Sequence, residues 1–167
     1  DLEPQGISFI QTKGWDEADY YANAAILKKL RIPFIVVLDS HNKNREKIVE
    51  ELTAPTGRTP LCNESQIRVL QRYSIESYIL DCEAIAGELG QISRTPVEKG
   101  EVETVMASMG STEDKAKVLE ELFQRYNVPY SKVRNGPAIA GRVPDARVDD
   151  EIRQLVCLLC ELPNREV

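Results

Sequence analysis

From Phe34 to Leu38 five apolar residues run without interruption, and the run stops at Asp39. A short, continuous apolar stretch rich in β-branched residues suits a strand buried on both faces of a parallel sheet. Ile67-Arg68-Val69-Leu70 alternates apolar and polar residues, a second strand signal, and Ile7-Ser8-Phe9-Ile10 gives a third. Between these runs the spacing changes to the three- and four-residue steps of amphipathic helices. Trp15, Ala18, Ala22, Ala25, Ile26 and Leu30 mark one helix. Its acids (Asp16, Glu17, Asp19) come first and its bases (Lys28, Lys29, Arg31) last, as the helix dipole prefers. Ile48, Val49 and Leu52 mark a second helix over 44–52. Strand–helix–strand order of this kind predicts right-handed parallel crossovers.

The second half of the chain reads as mostly helical. A helix is predicted from Asp81 to Leu89, ending at Gly90, and another over Val102–Met109. Ser111 with Asp114 three residues later approximates a capping box for a helix reaching Tyr126. Ala116, Leu119, Leu122, Phe123 and Tyr126 form its core face. Val128–Val148 contains three prolines and reads as a loop, carrying Lys132, Arg134 and Arg142. Asp149 or Asp150 caps a last helix that runs through Leu162 to Pro163. The expected architecture is one α/β domain over 1–167, with a mostly parallel sheet flanked by helices, a helical insertion at 91–130 and extra C-terminal helices.

Composition narrows the function classes. The chain has 167 residues, 42% hydrophobic and 29% charged, with a formal net charge of −6. That balance disfavours a domain that grips nucleic acid by bulk electrostatics alone. It suits a site whose carboxylates are neutralised by a metal. No apolar stretch approaches membrane-spanning length, and no signal peptide is visible. The expectation is therefore a cytoplasmic protein with no membrane partner. Because the chain opens with Asp1 and not Met, it is expected to be the C-terminal part of a longer protein. The four cysteines suggest no disulfide framework and a reducing compartment. Cys157 and Cys160 lie at i and i+3 of an apolar helix without a second matched pair, so buried packing is expected over zinc or redox use.

Candidate chemistry gathers at strand ends, where open α/β sheets hold their ligands. In an extended segment Asp39 and His41 point the same way, and carboxylate oxygen with imidazole nitrogen suits Mg, Mn or a related ion. The competing reading has Asp39-Ser40 capping the next helix. Glu76 and Asp81 follow the next strand. Singly each acid reads as a surface charge; together the acids at two strand ends make a divalent-metal site. Among the basic residues, Lys132 could stabilise charge on a metal-bound phosphate, against the plainer reading of solvated loop charges.

The stretch from Leu30 to His41 resembles the central strand of TOPRIM domains, which end that strand in an acid-x-acid motif that binds Mg. Leu70–Ala86, with Ile75-Glu76-Ser77-Tyr78-Ile79, looks like the segment after the next strand in OLD (overcoming lysogenization defect) family nucleases, where a Glu stands in an apolar Ile-Glu-x-Tyr-Leu context. Lys132–Pro137 is similar to the place where that family carries a lysine. The likeness covers about 6–90, and more loosely 130–160. It implies a TOPRIM-like, Rossmann-like fold and an Mg- or Mn-dependent DNA endonuclease, linked in cis or in trans to an ABC/AAA-type ATPase, forming homo-oligomers and serving antiviral defence. On it, Asp39, His41 and Glu76 hold metal, and Asp39, Glu76 and Lys132 are the catalytic set.

Two departures qualify the match. His41 stands where the family's second acid would be, which lowers the site's charge. No strand followed by a catalytic Glu precedes Gly6. That unit is expected upstream, or the domain is degenerate, and either way the fragment is expected to be inactive alone. Two alternatives follow: a non-catalytic TOPRIM scaffold for an ATPase or effector partner, and a haloacid-dehalogenase-like phosphatase with Asp39 as nucleophile. The latter lacks its second acid and its downstream acid pair.

Overall fold

The computed structural model describes residues 7–8, 32–53, 62–109 and 114–162. The expected helix over 15–30, and all but Ile7 and Ser8 of the first strand, lie outside the described residues. The protein is mixed α/β and mostly helical: six α-helices and one two-stranded parallel sheet among the described residues. It divides into two compact units. One comprises Asp1–Gln71 and Asp150–Val167, the other Arg72–Asp149.

In the first unit β1 (Val36–Leu38) and β2 (Ile67–Val69) pair in parallel, with Val36 opposite Ile67 and Leu38 opposite Val69. Parallel neighbours need a crossover, and α1 (Arg45–Thr53) lies between them in the chain and packs on β2. Its apolar positions Ile48 and Leu52 meet Leu38, Cys62, Ile67 and Val69 in one small core. The expectation of a strand buried on both faces from Phe34 to Leu38 is corrected. Only Val36–Leu38 is strand, and Val37 is 39% exposed while Leu38 is 8% exposed. Alternation, not continuous burial, is what a strand with one open face gives. α6 (Asp150–Glu161) belongs to this unit and buries only Leu159 along its length. The Gln71 N–H donates to both Glu151 carboxylate oxygens, at 3.0 and 3.2 Å, which ties the first turn of α6 to the end of β2.

The second unit is a helical cluster. It comprises a 3-10 turn at Ile75–Tyr78, α2 (Cys82–Ser93), α3 (Lys99–Ser108), α4 (Lys115–Arg125) and α5 (Lys132–Ala140). α2 is the hub, packing on both α3 and α5. Ile85, Leu89, Val102, Leu119, Leu122, Phe123 and Ile139 are fully buried. At about 1.5–3 kcal/mol for each such side chain, this core is the main stabiliser of the unit. Phe123 meets Tyr130 edge-on with ring centroids 5.2 Å apart.

Several boundaries differ from the sequence reading, each for a local reason. α2 runs past Gly90 to Ser93, and Arg94 ends it with φ 56°, the left-handed C-terminal turn more often given to glycine. Asp114 itself caps α4, accepting from the Ala116 and Lys117 N–H groups at 3.2 and 3.4 Å; Ser111 lies outside the described residues. The expected loop over 128–148 contains α5, which tolerates Pro137 inside its nine residues. It also contains a 3-10 turn at Asp145–Arg147. Cys157 and Cys160 are both exposed, which overturns the expectation of buried packing. α6 turns its Leu159 side inward, and the two thiols fall on the other side.

Candidate functional site

The sequence-selected residues fall in the two units, Asp39 and His41 in one, Glu76 and Lys132 in the other. At the end of β1, Asp39 is half-buried and Ser40 is 7% exposed. The chain then reverses. His41 and Asn42 have φ 45° and 58°, and the Lys43 N–H donates to the Ser40 carbonyl at 2.8 Å. Two successive positive φ values make a tight left-handed turn, for which Asn and His are among the more tolerant residues. Extended parity therefore does not relate Asp39 to His41; a turn does. Nor does Asp39-Ser40 cap α1. Asn44 does, its Oδ1 accepting from the Lys47 N–H at 3.1 Å.

Glu76 occupies the 3-10 turn with the usual polarity reversed: Ile75 is 46% exposed while Glu76 is 4% exposed. Arg72 fixes this turn. Its guanidinium donates to the Ser77 carbonyl at 2.6 Å, pairs with Asp149 at 2.5 Å and lies 4.8 Å from the Tyr78 ring centroid. The Arg72 backbone N–H donates to the Tyr78 hydroxyl at 3.0 Å. Held inward, Glu76 accepts from Lys132 Nζ at 2.9 Å on Oε1. The structure thus brings together two of the three residues chosen as catalytic. Burial alone would raise the Glu76 pKa. The Lys132 ammonium, the Glu76 backbone N–H and the nearby Ser74 hydroxyl outweigh that and hold it below the ordinary carboxylate range. Glu76 is therefore anionic at neutral pH.

Lys132 begins α5, where the helix dipole disfavours a cation, so its place depends on Glu76 and on the anchoring of the helix. Asn135 is 5% exposed. Its Oδ1 accepts from the Ser131 N–H at 2.7 Å, and its Nδ2 approaches Glu88 Oε1 at 3.5 Å. Glu88 is also buried and accepts from Arg142 Nε at 3.2 Å; Arg142 reaches Gln91 as well. The start and the end of α5 are thereby tied to one carboxylate of α2. Tyr130 lies nearby. Its hydroxyl is buried without a hydrogen-bond partner, and burial, with the negative charges of Glu76 and Glu120, pushes its pKa up to about 12.

The remaining sequence candidates have structural roles. Asp81 caps α2 through the Ala84 N–H at 2.9 Å and pairs with Arg147 Nε at 2.8 Å. Arg142 serves Glu88, and Arg134 is exposed. Sequence reasoning missed Glu88, Asn135 and Tyr130. The available signal for Glu88 was an acid inside the apolar run Ala84-Ile85-Ala86-Gly87-Glu88-Leu89. Among the described residues no three His, Cys, Asp or Glu side chains gather into one group able to hold a metal ion. No helix among them is long and apolar enough to cross a membrane. No protein-family model, curated protein or solved structure matches the chain.

Proposed function

We propose that this chain is a TOPRIM-like, Mg- or Mn-dependent phosphodiesterase module of the OLD nuclease type, acting on DNA together with an ABC-type ATPase. The single observation that carries the reading is the buried, anionic Glu76 paired at 2.9 Å with Lys132. A carboxylate kept charged out of water and a lysine with 59% of its side chain exposed make a polarised pair, one end for a cation and the other for an oxyanion. The donor chemistry fits a hard divalent ion. Asp39 and Glu76 offer carboxylate oxygens, His41 an imidazole nitrogen, and Glu76 needs no deprotonation near neutral pH.

In this proposal Asp39 and His41 would supply metal ligands in one unit and Glu76 in the other, with phosphate oxygens and water completing each ion's shell, and the metal would polarise the phosphoryl oxygen and activate water. The chain's own residues do the remaining work. Glu76 orients Lys132, and Lys132 presents its ammonium to the negative oxygens of the phosphodiester. The Asn135–Glu88–Arg142 anchors keep α5, and with it Lys132, in place. Because the net charge is −6, most of the grip on DNA comes from the partner's surface.

One observation favours a second reading. Lys132 already engages Glu76 Oε1, so the pair also serves as a strut joining the 3-10 turn to α5, as in a non-catalytic scaffold. A plasmid-nicking assay with Mg or Mn and the partner ATPase separates the two. The nuclease reading predicts nicking by the wild type that falls at least tenfold in Asp39→Ala and Glu76→Gln. Equal nicking by all three proteins, each in its longest native form, or none by that form of the wild type, excludes it.

A further inference from the structure

The two thiols of α6 stand apart from the site described above. Cysteine is among the residues most often buried, yet Cys157 and Cys160 are both exposed, while Cys62 is buried and Cys82 half-buried. Three residues apart on a helix, they share a face, with Cβ atoms about 5–6 Å apart. That separation distinguishes the chemistries open to the pair. A disulfide needs Cβ atoms about 3.5–4.5 Å apart, so closing one would distort α6. Zinc–sulfur bonds of about 2.3 Å put tetrahedral sulfurs about 3.8 Å apart, which two side chains leaning together from those Cβ positions reach without moving the backbone. Cys-x-x-Cys is also the spacing that zinc sites use.

A structural zinc site takes four ligands, and α6 offers two thiols. All four cysteines and the single histidine are among the described residues, and among those residues no three potential ligands converge. The further thiols of a thiophilic ion on Cys157 and Cys160 therefore come from outside the chain. The donor set of matching softness closest to hand is the same pair on a second copy. Two antiparallel α6 faces related by a twofold axis present four thiols to one point, the self-complementary arrangement of a symmetric dimer.

We propose that Cys157 and Cys160 form half of a tetrathiolate zinc site that joins two copies of this chain through α6. Binding is balanced as one Zn2+ and four thiols giving a Zn(Cys)4 centre of charge −2 and four released protons. This inference is independent of the phosphodiesterase reading.

The test is titration of the full chain with zinc alone under reducing conditions. Bound metal is read by chelator competition and mass by sedimentation velocity, for the wild type and for the Cys157→Ser/Cys160→Ser double variant. Both positions are exposed, so the variant should keep the wild-type circular dichroism. The expected result is one zinc per two chains, a monomer-to-dimer shift that follows zinc and reverses with EDTA, and at least tenfold weaker uptake by the variant. Cobalt in place of zinc should give the intense visible bands of tetrahedral thiolate ligation. One zinc per monomer, zinc uptake without dimerisation, or equal uptake by the variant would overturn the proposal.

Discussion

Replacing Lys132 with Met keeps the aliphatic stem and removes the ammonium, leaving Glu76 buried and without its cation. The magnitude follows from where each partner lies. A fully exposed ion pair is worth about 0–1 kcal/mol, and breaking a fully buried one costs about 3–5 kcal/mol. Here the carboxylate side chain is 6% exposed and the ammonium side chain 59% exposed, at 2.9 Å. The pair lies between those limits: a hydrogen bond to a charged group contributes about 1.5–3 kcal/mol, and the solvent-open ammonium brings this one to the low end or below. Urea unfolding of wild type, Lys132→Met, Glu76→Gln and the double variant at pH 7 should therefore give a coupling of about 1–2 kcal/mol. The sign of the pH dependence is fixed as well. In the wild type the folded pKa of Glu76 lies below 4.5, so its contribution is present above that pH and is lost as the pH falls. Without Lys132, less offsets the burial, so Glu76 protonates at a higher pH than in the wild type and protonation relieves the variant as the pH falls. The stability gap between wild type and Lys132→Met should narrow from pH 7 to pH 4. A coupling below about 0.5 kcal/mol, or a gap that does not change with pH, would refute the reasoning.

Three further outcomes follow from the same structure. Tyr130, with its pKa pushed up to about 12, should be the last tyrosine to ionise in an absorbance titration; since its neutral form is favoured by folding, its contribution is lost as the pH rises from about 10 through 12, and Tyr130→Phe should remove the late phase. Phe123→Ala should cost about 3–5 kcal/mol in urea unfolding, because the ring is fully buried among Leu119, Leu122 and Val128 and against Tyr130; a loss under about 1 kcal/mol would mean the helical core repacks freely. Two thiols per folded chain should react fast with a disulfide reagent, Cys157 and Cys160, while Cys62 lags through burial and Cys82 through a thiol pKa raised by burial and by Glu103 and Asp81.

The helical half of the fold was largely legible in the sequence, since three- and four-residue apolar spacing survives even where caps are misplaced. α4 starts at Lys115 with Asp114 as its cap, since a single aspartate can satisfy two N–H groups by itself. α5 was hidden by Pro137, and a helix of nine residues offers little periodicity to read. Cys157 and Cys160 were misjudged because α6 is apolar on more sides than it buries; composition cannot tell which stripe turns inward. In the candidate site, Glu76 and Lys132 were both singled out, 56 positions apart, but nothing local foretold that they pair. That contact depends on a turn that Arg72 shapes through Ser77, Tyr78 and Asp149. Asp39 was placed at a strand end by the apolar run before it. The turn at His41-Asn42 left no mark beyond two residue types that tolerate positive φ.

The proposed metal chemistry is most directly tested by Mn2+ binding to the chain, followed by electron paramagnetic resonance of free Mn2+ at pH 7 in the wild type, Asp39→Ala and Glu76→Gln. The account predicts saturable Mn2+ binding in the wild type and less bound Mn2+ in each variant, with circular dichroism unchanged. Wild-type affinity in both variants, or no saturable Mn2+ binding by any of the three, would contradict it.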